Sequence, residues 1–248
     1  MKTKIFILSL VVWSVFSTSE LWSQNAKSIL AKMDQVMFFP KDKQYEADLI
    51  IENLKNGKIT EKKAEIFEKN NKKLFRYTAP KSDSGIASLT LSDNEVYIYL
   101  PVFNMVKKIT TSSSIGNMNK SDFALADRPE KSYSDSYTPT LIKTTDQYYE
   151  LKLVPKKEKI PYGYLLVKVD KKNFYPKEIV YFDKKGNKLK TATYHFMKLN
   201  GHWVADKIEM KNAQKQSRTT IKMHNIKINK GIPDAFFTKE HLKKKKNK

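Results

Sequence analysis

Leu189-Lys-Thr-Ala-Thr-Tyr-His-Phe-Met-Lys-Leu199, Asn200-Gly201, His202-Trp-Val-Ala-Asp-Lys-Ile-Glu-Met-Lys211 spells a β-hairpin. Two runs carrying β-branched and aromatic residues are separated by a two-residue Asn-Gly link. Asn and Gly tolerate the positive φ of the tight turns that suit twisted antiparallel strands. The pattern repeats in both directions along the chain. Downstream, Asn212–Gln216 is a turn and Arg218–Ile228 a strand. Upstream lie strands at Pro176–Phe182, Gly163–Asp170 and Tyr148–Val154, with turns at Lys171–Asn173 and Lys185–Asn187.

The first half reads the same way. Strands are expected at Tyr45–Glu52, Lys58–Glu68, Leu74–Thr78, Ala87–Leu91 and Glu95–Leu100, with turn signals at Asn56-Gly57, Asn70-Asn71 and Asp93-Asn94. That makes about eleven strands. Short links and turns every eight to twelve residues predict one antiparallel meander. There is no Gly-rich phosphate loop and no alternation of strands with helices, which argues against a parallel α/β sheet. One helix is expected at Asn25–Met37, where Ala26, Ile29, Leu30, Met33 and Val36-Met37 form an apolar stripe and Pro40 ends it. Ile109–Thr140 breaks the rhythm. Ser121 is a candidate N-cap of a very short helix bearing Phe123, Leu125 and Ala126. Insertions of this length are typically lids, binding loops or disordered.

The chain opens with Lys2 and Lys4, an apolar run at Ile5–Phe16 and the small polar residues of Ser17–Ser23. This is the layout of a secretory signal peptide, with cleavage expected near Ser23/Gln24. The expected organisation is a signal at 1–23, a single binding barrel at 24–242 and a lysine-rich, disordered tail at 243–248. The formal net charge is +21, yet only Arg76, Arg128 and Arg218 of the 47 basic residues are arginine. Nucleic-acid readers depend on arginine forks, so no nucleic-acid partner is expected. A lysine-rich surface in an exported protein suits transient contact with anionic lipid headgroups. The absence of cysteine excludes disulfides, thiolate metal sites, a cysteine nucleophile and a lipidated N-terminal cysteine.

Little here points to catalysis. His195, His202, His224 and His241 have no metal-ligand spacing, and no nucleophile-elbow motif occurs. Asp122, Asp127 and Glu130 lie close in sequence, which capping and solvation explain more simply than acid–base work. No enzyme activity, cofactor or metal is expected. Several strands are apolar on both parities, notably Val96-Tyr-Ile-Tyr-Leu100 and Ile179-Val-Tyr-Phe182. A sheet with one wet face should alternate. The second face must therefore be covered by a helix, a lid or a ligand. An apolar cavity in a curved sheet and an ordinary packed β core both satisfy this pattern.

Several segments resemble the outer membrane lipoprotein-sorting proteins, the LolA-like family of Gram-negative bacteria. They are Tyr162–Asp170, Tyr175–Gly186, Gly201–Met210, Thr219–Ile221 and Ile232–Thr238, joined by Tyr97–Pro101, Val106–Ile109, Ile115–Met118, Ser121–Phe123 and Leu74–Tyr77. The resemblance covers most of residues 25–242 and rests on the order and spacing of the motifs. It implies an open antiparallel β-barrel, a strongly curved half-barrel closed by an N-terminal helix and a short helical insert. It also implies a periplasmic carrier of lipoprotein or lipid acyl chains, a chaperone that takes cargo from an inner-membrane exporter to an outer-membrane acceptor. The family's carrier has a lid-latching arginine just before its Phe-Arg-Trp-like strand. Here those positions are Asn70, Asn71, Lys72 and Lys73, so a guanidinium fork is missing at that place.

On this reading the acyl-cavity candidates are Phe75, Tyr77, Tyr97, Tyr99, Phe103, Leu166 and Tyr181. The lid candidates are Ile29 and Met33 on the helix and Phe123 and Leu125 in the 119–128 insert. Strand parity is open at this stage. Two other classes of function are considered. One is a non-enzymatic envelope sensor or interaction module that binds a protein partner. The other is a lipid-acting hydrolase, for which the sequence offers no convincing nucleophile.

Overall fold

The structure is a computed structural model that describes residues 18–92, 95–109, 121–127, 129 and 131–244. Residues 1–17 of the expected signal (1–23) and residues 245–248 of the expected tail (243–248) lie outside the described residues. A helix, α1 (Thr18–Phe38), precedes thirteen strands. These are β1 (Asp42–Asn53), β2 (Ile59–Lys69), β3 (Lys72–Ala79), β4 (Ala87–Ser92), β5 (Glu95–Leu100), β6 (Met105–Ile109) and β7 (Tyr137–Thr144). They continue as β8 (Tyr148–Pro155), β9 (Tyr164–Asp170), β10 (Pro176–Phe182), β11 (Lys188–Leu199), β12 (His202–Asn212) and β13 (Ser217–Ile228). All pair antiparallel in one sheet of order β6-β5-β4-β3-β2-β1-β13-β12-β11-β10-β9-β8-β7.

The expected open, mainly β architecture is present. The β11–β12 hairpin has the predicted register, Leu199 opposite His202, and Asn200 and Gly201 both adopt positive φ. The expected count of eleven strands falls two short. β7 contains Pro139, which reads as a breaker. A strand at the edge of a sheet tolerates the lost N–H. β6 is the opposite edge and is only five residues long. α1 starts at Thr18 rather than Asn25. The expected helix at Ser121 is a 3-10 turn at Leu125–Asp127, followed by the short α2 (Tyr133–Ser136).

The sheet opens between β6 and β7, which are consecutive in the chain. The segment between Ile109 and Tyr137 therefore joins the two free edges. Ala26, Ile29, Leu30 and Met33 of α1 are all buried and pack on the β7–β12 half of the sheet. Cross-strand register assigns the faces. On the face carrying α1, one row of opposed residues runs Leu141, Leu151, Val167, Ile179, Ala192, Met210 and Thr219.

The opposite face is covered at one end by the C-terminus. A 3-10 turn at Asp234–Phe237 and α3 (Lys239–Leu242) lie over Leu74, Ala87, Leu89, Tyr97 and Tyr99. Beneath them Arg76 donates to Glu65 at 2.8 Å and to the His241 carbonyl at 2.9 Å. This cover explains why Val96–Leu100 is apolar on both parities: protein covers the second face there.

His241 is a titrating group of this cover, its ring tilted against Phe236 with ring centres 4.3 Å apart. Partial burial and the nearby Arg76 and Lys244 charges hold its pKa below the ordinary histidine value. The unfolded chain thus binds a proton more readily than the folded one. The His241 contribution is intact above the ordinary value near 6.5. It declines as pH falls through the interval down to the lowered folded value. Thermal melts at about pH 7.5 and 5.5 should show acid destabilisation that is smaller in His241→Phe; equal pH dependence in both proteins would refute the assignment.

Candidate functional site

The α1-bearing face holds two apolar clusters. The first lies under α1 and includes Leu151, Leu153, Leu165, Val167, Ile179 and Tyr181. The second is formed by β1, β2, β3 and β13, with Tyr45, Leu49, Ile66, Phe75, Tyr77 and Met223, and among the described residues contains none of α1. Between them the sheet turns polar. Thr219 is fully buried on β13, and Lys190 on β11 is 7% exposed. The insert is fastened at this seam.

Asp122 makes the first fastening. Its backbone N–H donates to Thr219 Oγ1 at 2.9 Å, and its carboxylate accepts from the Thr219 hydroxyl at 2.8 Å and from Ser217. Asp127 makes the second. Its carboxylate meets Lys190 Nζ at 2.6 Å, accepts the Ala124 N–H at 2.7 Å and accepts the Tyr162 hydroxyl. Its carbonyl accepts from Tyr181 at 3.1 Å. Burial first, and the Asp127 charge second, push the Tyr162 phenol far above its ordinary range, so it stays a neutral donor. A third fastening links the insert's end to the helix. Asp34 of α1 accepts the Tyr133 and Ser134 N–H groups, each at 2.8 Å, which satisfies two first-turn donors of α2 beside its N-cap Ser132. Burial raises the Asp34 pKa, while the Ser134 bonds oppose the rise.

The register distributes the cavity candidates. Phe75, Tyr77 and Tyr181 lie on the α1-bearing face. Tyr97 and Tyr99 lie on the opposite face, under the C-terminal cover. Leu166 alternates with the α1-facing Leu165 and Val167, so it too lies on the opposite face. Phe103 is 72% exposed in the 3-10 turn Pro101–Phe103. Of the lid candidates, Ile29 and Met33 are buried against the sheet and Phe123 packs half-buried on the first cluster. Leu125 lies in the 3-10 turn, and its side chain is outside the described part.

Sequence reasoning missed Lys190, one lysine among many. Its signal was parity: it alternates in phase with the inward Ala192. The positions that lack the family's arginine are engaged elsewhere. Lys72 pairs with Asp234 at 3.1 Å and Lys73 with Glu68 at 3.3 Å. The insert is held by Lys190 and Thr219 from the other half of the sheet.

Among the described residues no group of three metal-ligating side chains converges, and no helix is long and apolar enough to cross a membrane. A depression of about 390 Å³ is lined by Glu46, Asp48, Lys63 and His224, whose polarity does not suit an acyl chain.

A family model described only as uncharacterised-protein-like matches residues 69–244. No curated protein matches the chain. Among solved structures, a domain classed with outer membrane lipoprotein-sorting proteins from Vibrio parahaemolyticus aligns with a TM-score of 0.78 at 22% identity, over 90% of this chain and 100% of that one. A DUF1329 family protein from Desulfovibrio piger aligns at 0.80 with 23% identity, over 89% and 99%. A LolA superfamily protein from Nitrosomonas europaea aligns at 0.72 with 22% identity, over 87% and 98%. At these identities the likeness is one of fold. With the family model spanning most of its length and these domains aligning over about nine-tenths of it, the chain belongs to that uncharacterised-protein family and has the LolA-like, outer membrane lipoprotein-sorting fold.

Proposed function

We propose that this protein is a non-enzymatic periplasmic carrier that binds acyl chains of a lipoprotein or lipid against its α1-bearing face. The observation that carries this reading is the extent of that face. It is apolar on both sides of the seam, while the described side chains of α1 pack on one side of it. Phe75, Tyr77 and Tyr181 would line the acyl path, and Ile29, Met33, Phe123 and Leu125 would form the lid. Each methylene withdrawn from water contributes about 0.8 kcal/mol. A chain of ordinary length therefore competes well with the few polar contacts that fasten the insert.

Loading requires the insert to lift, which exposes the face without breaking the sheet. Cargo would arrive from an inner-membrane exporter and leave to an outer-membrane acceptor. The signal layout of the first residues and the fold of the neighbours support this placement.

The test is gentle purification of the mature protein from its native envelope, then native mass spectrometry and lipid extraction. A stoichiometric lipid or acylated protein supports the carrier. An empty protein that also refuses a fluorescent fatty-acyl probe refutes it and leaves a partner-binding module. Phe123→Asp places a charge where the insert meets the first cluster and should weaken probe affinity by about tenfold or more. Unchanged affinity would remove the insert from the site.

A further inference from the structure

We infer that one end of the sheet, the end holding the β5–β6 tip, docks onto an anionic bilayer and inserts that tip among the lipid headgroups. The register places six of the eight large apolar side chains exposed among the described residues at this end. Val102 and Phe103 protrude furthest, at 86% and 72% exposure, with Met105 beside them at 43%. Ile59 and Leu54 mark the β1–β2 hairpin, and Val154 the end of β8.

The tip is built, not frayed. Leu100 pairs with Met105 across the hairpin. The Asn104 N–H closes the turn on the Pro101 carbonyl at 3.1 Å, and the Tyr99 hydroxyl donates to Asn104 Oδ1 at 3.2 Å. Gly85 of the neighbouring β3–β4 loop backs Pro101, where an added Cβ would sit 3.5 Å from the proline ring. A rigid turn that holds a valine and a phenylalanine in water needs an apolar destination.

Charge selects the occupant. The turns at the same end carry exposed Lys55, Lys58, Lys81, Lys184, Lys185 and Lys215. Lysines around an apolar tip match a surface with anionic headgroups above an acyl layer. A protein partner would need a complementary acidic rim and an apolar pocket. The bilayer supplies both chemistries at once, and the lysine-for-arginine bias favours diffuse headgroup contact over forked recognition.

This inference stands on a different surface from the acyl site. The experiment uses the mature protein and vesicles of phosphatidylcholine, with and without about a third phosphatidylglycerol. Wild type should sediment with the anionic vesicles and far less with the neutral ones. Val102→Asp/Phe103→Asp should lose about tenfold or more of that binding, with unchanged melting and unchanged acyl-probe uptake. Phe103→Trp should blue-shift its fluorescence on anionic vesicles, reporting burial of the tip. Equal vesicle binding by the double variant, no binding by wild type, or self-association that the double variant abolishes would overturn the proposal. Failed probe uptake with intact vesicle binding would refute the carrier and leave the docking surface standing.

Discussion

Lys190→Met is expected to destabilise the protein by about 3–5 kcal/mol, the cost typical of removing one partner from a buried ion pair. Both charges are 8% exposed at the side chain, and Nζ lies 2.6 Å from the Asp127 carboxylate. Without the ammonium, Asp127 keeps a tyrosine hydroxyl and one backbone N–H, and its burial leaves little room for water to replace the lost charge. Two outcomes are separable by hydrogen exchange. If the insert detaches, protection is lost around Ser121–Asp127 while the sheet stays protected. If the sheet itself fails, protection falls everywhere. The fold predicts the first, because the sheet's ladders do not pass through the insert. Lys190→Met/Asp127→Leu should recover most of the loss, since matched apolar groups replace buried pairs at little cost. A single variant within about 1 kcal/mol of wild type would show that the pair holds nothing down.

Leu30→Ala is the second large effect, with an expected loss of about 2–5 kcal/mol. Leu30 is fully buried in the cluster that joins α1 to the sheet. The truncation leaves a void, because neighbouring side chains relax only in part. For a chain of this size each kcal/mol moves the melting temperature by about 2–4 °C. A saturating acyl ligand should return part of that loss if it fills the space or stabilises the loosened helix. The measurement is a melt with and without a fatty-acyl ligand. No rescue in the variant, with rescue in wild type, would place the ligand away from α1.

The hairpins were legible because their turn chemistry is local. Asn200-Gly201 announces itself within two residues. β7 was not, because Pro139 means a break in the interior of a sheet and is tolerated at an edge. Position in the sheet is not a local property. The faces were illegible for a related reason. Val96–Leu100 is apolar on both parities because the chain's last helix, more than 130 residues away, returns to cover one of them. The same sequence signal would arise from a ligand-filled cavity, and only the C-terminal cover distinguishes the two. The seam was half visible. Asp122 and Asp127 stood out in the insert, and their partners Thr219 and Lys190 lay 97 and 63 residues away in unremarkable strands.

A sheet left open has a hazard that a closed barrel avoids. Two edges present rows of backbone donors and acceptors, ready to pair with any extended chain, including a misfolded copy. Each edge here carries its own gatekeepers. β7 has Pro139, which removes a donor from its row, and the exposed Lys143. β6 is cut to five residues and carries exposed Lys107 and Lys108. These residues discourage edge-to-edge polymerisation. Substitutions that remove them should leave the folded monomer almost untouched and still shorten its life in solution.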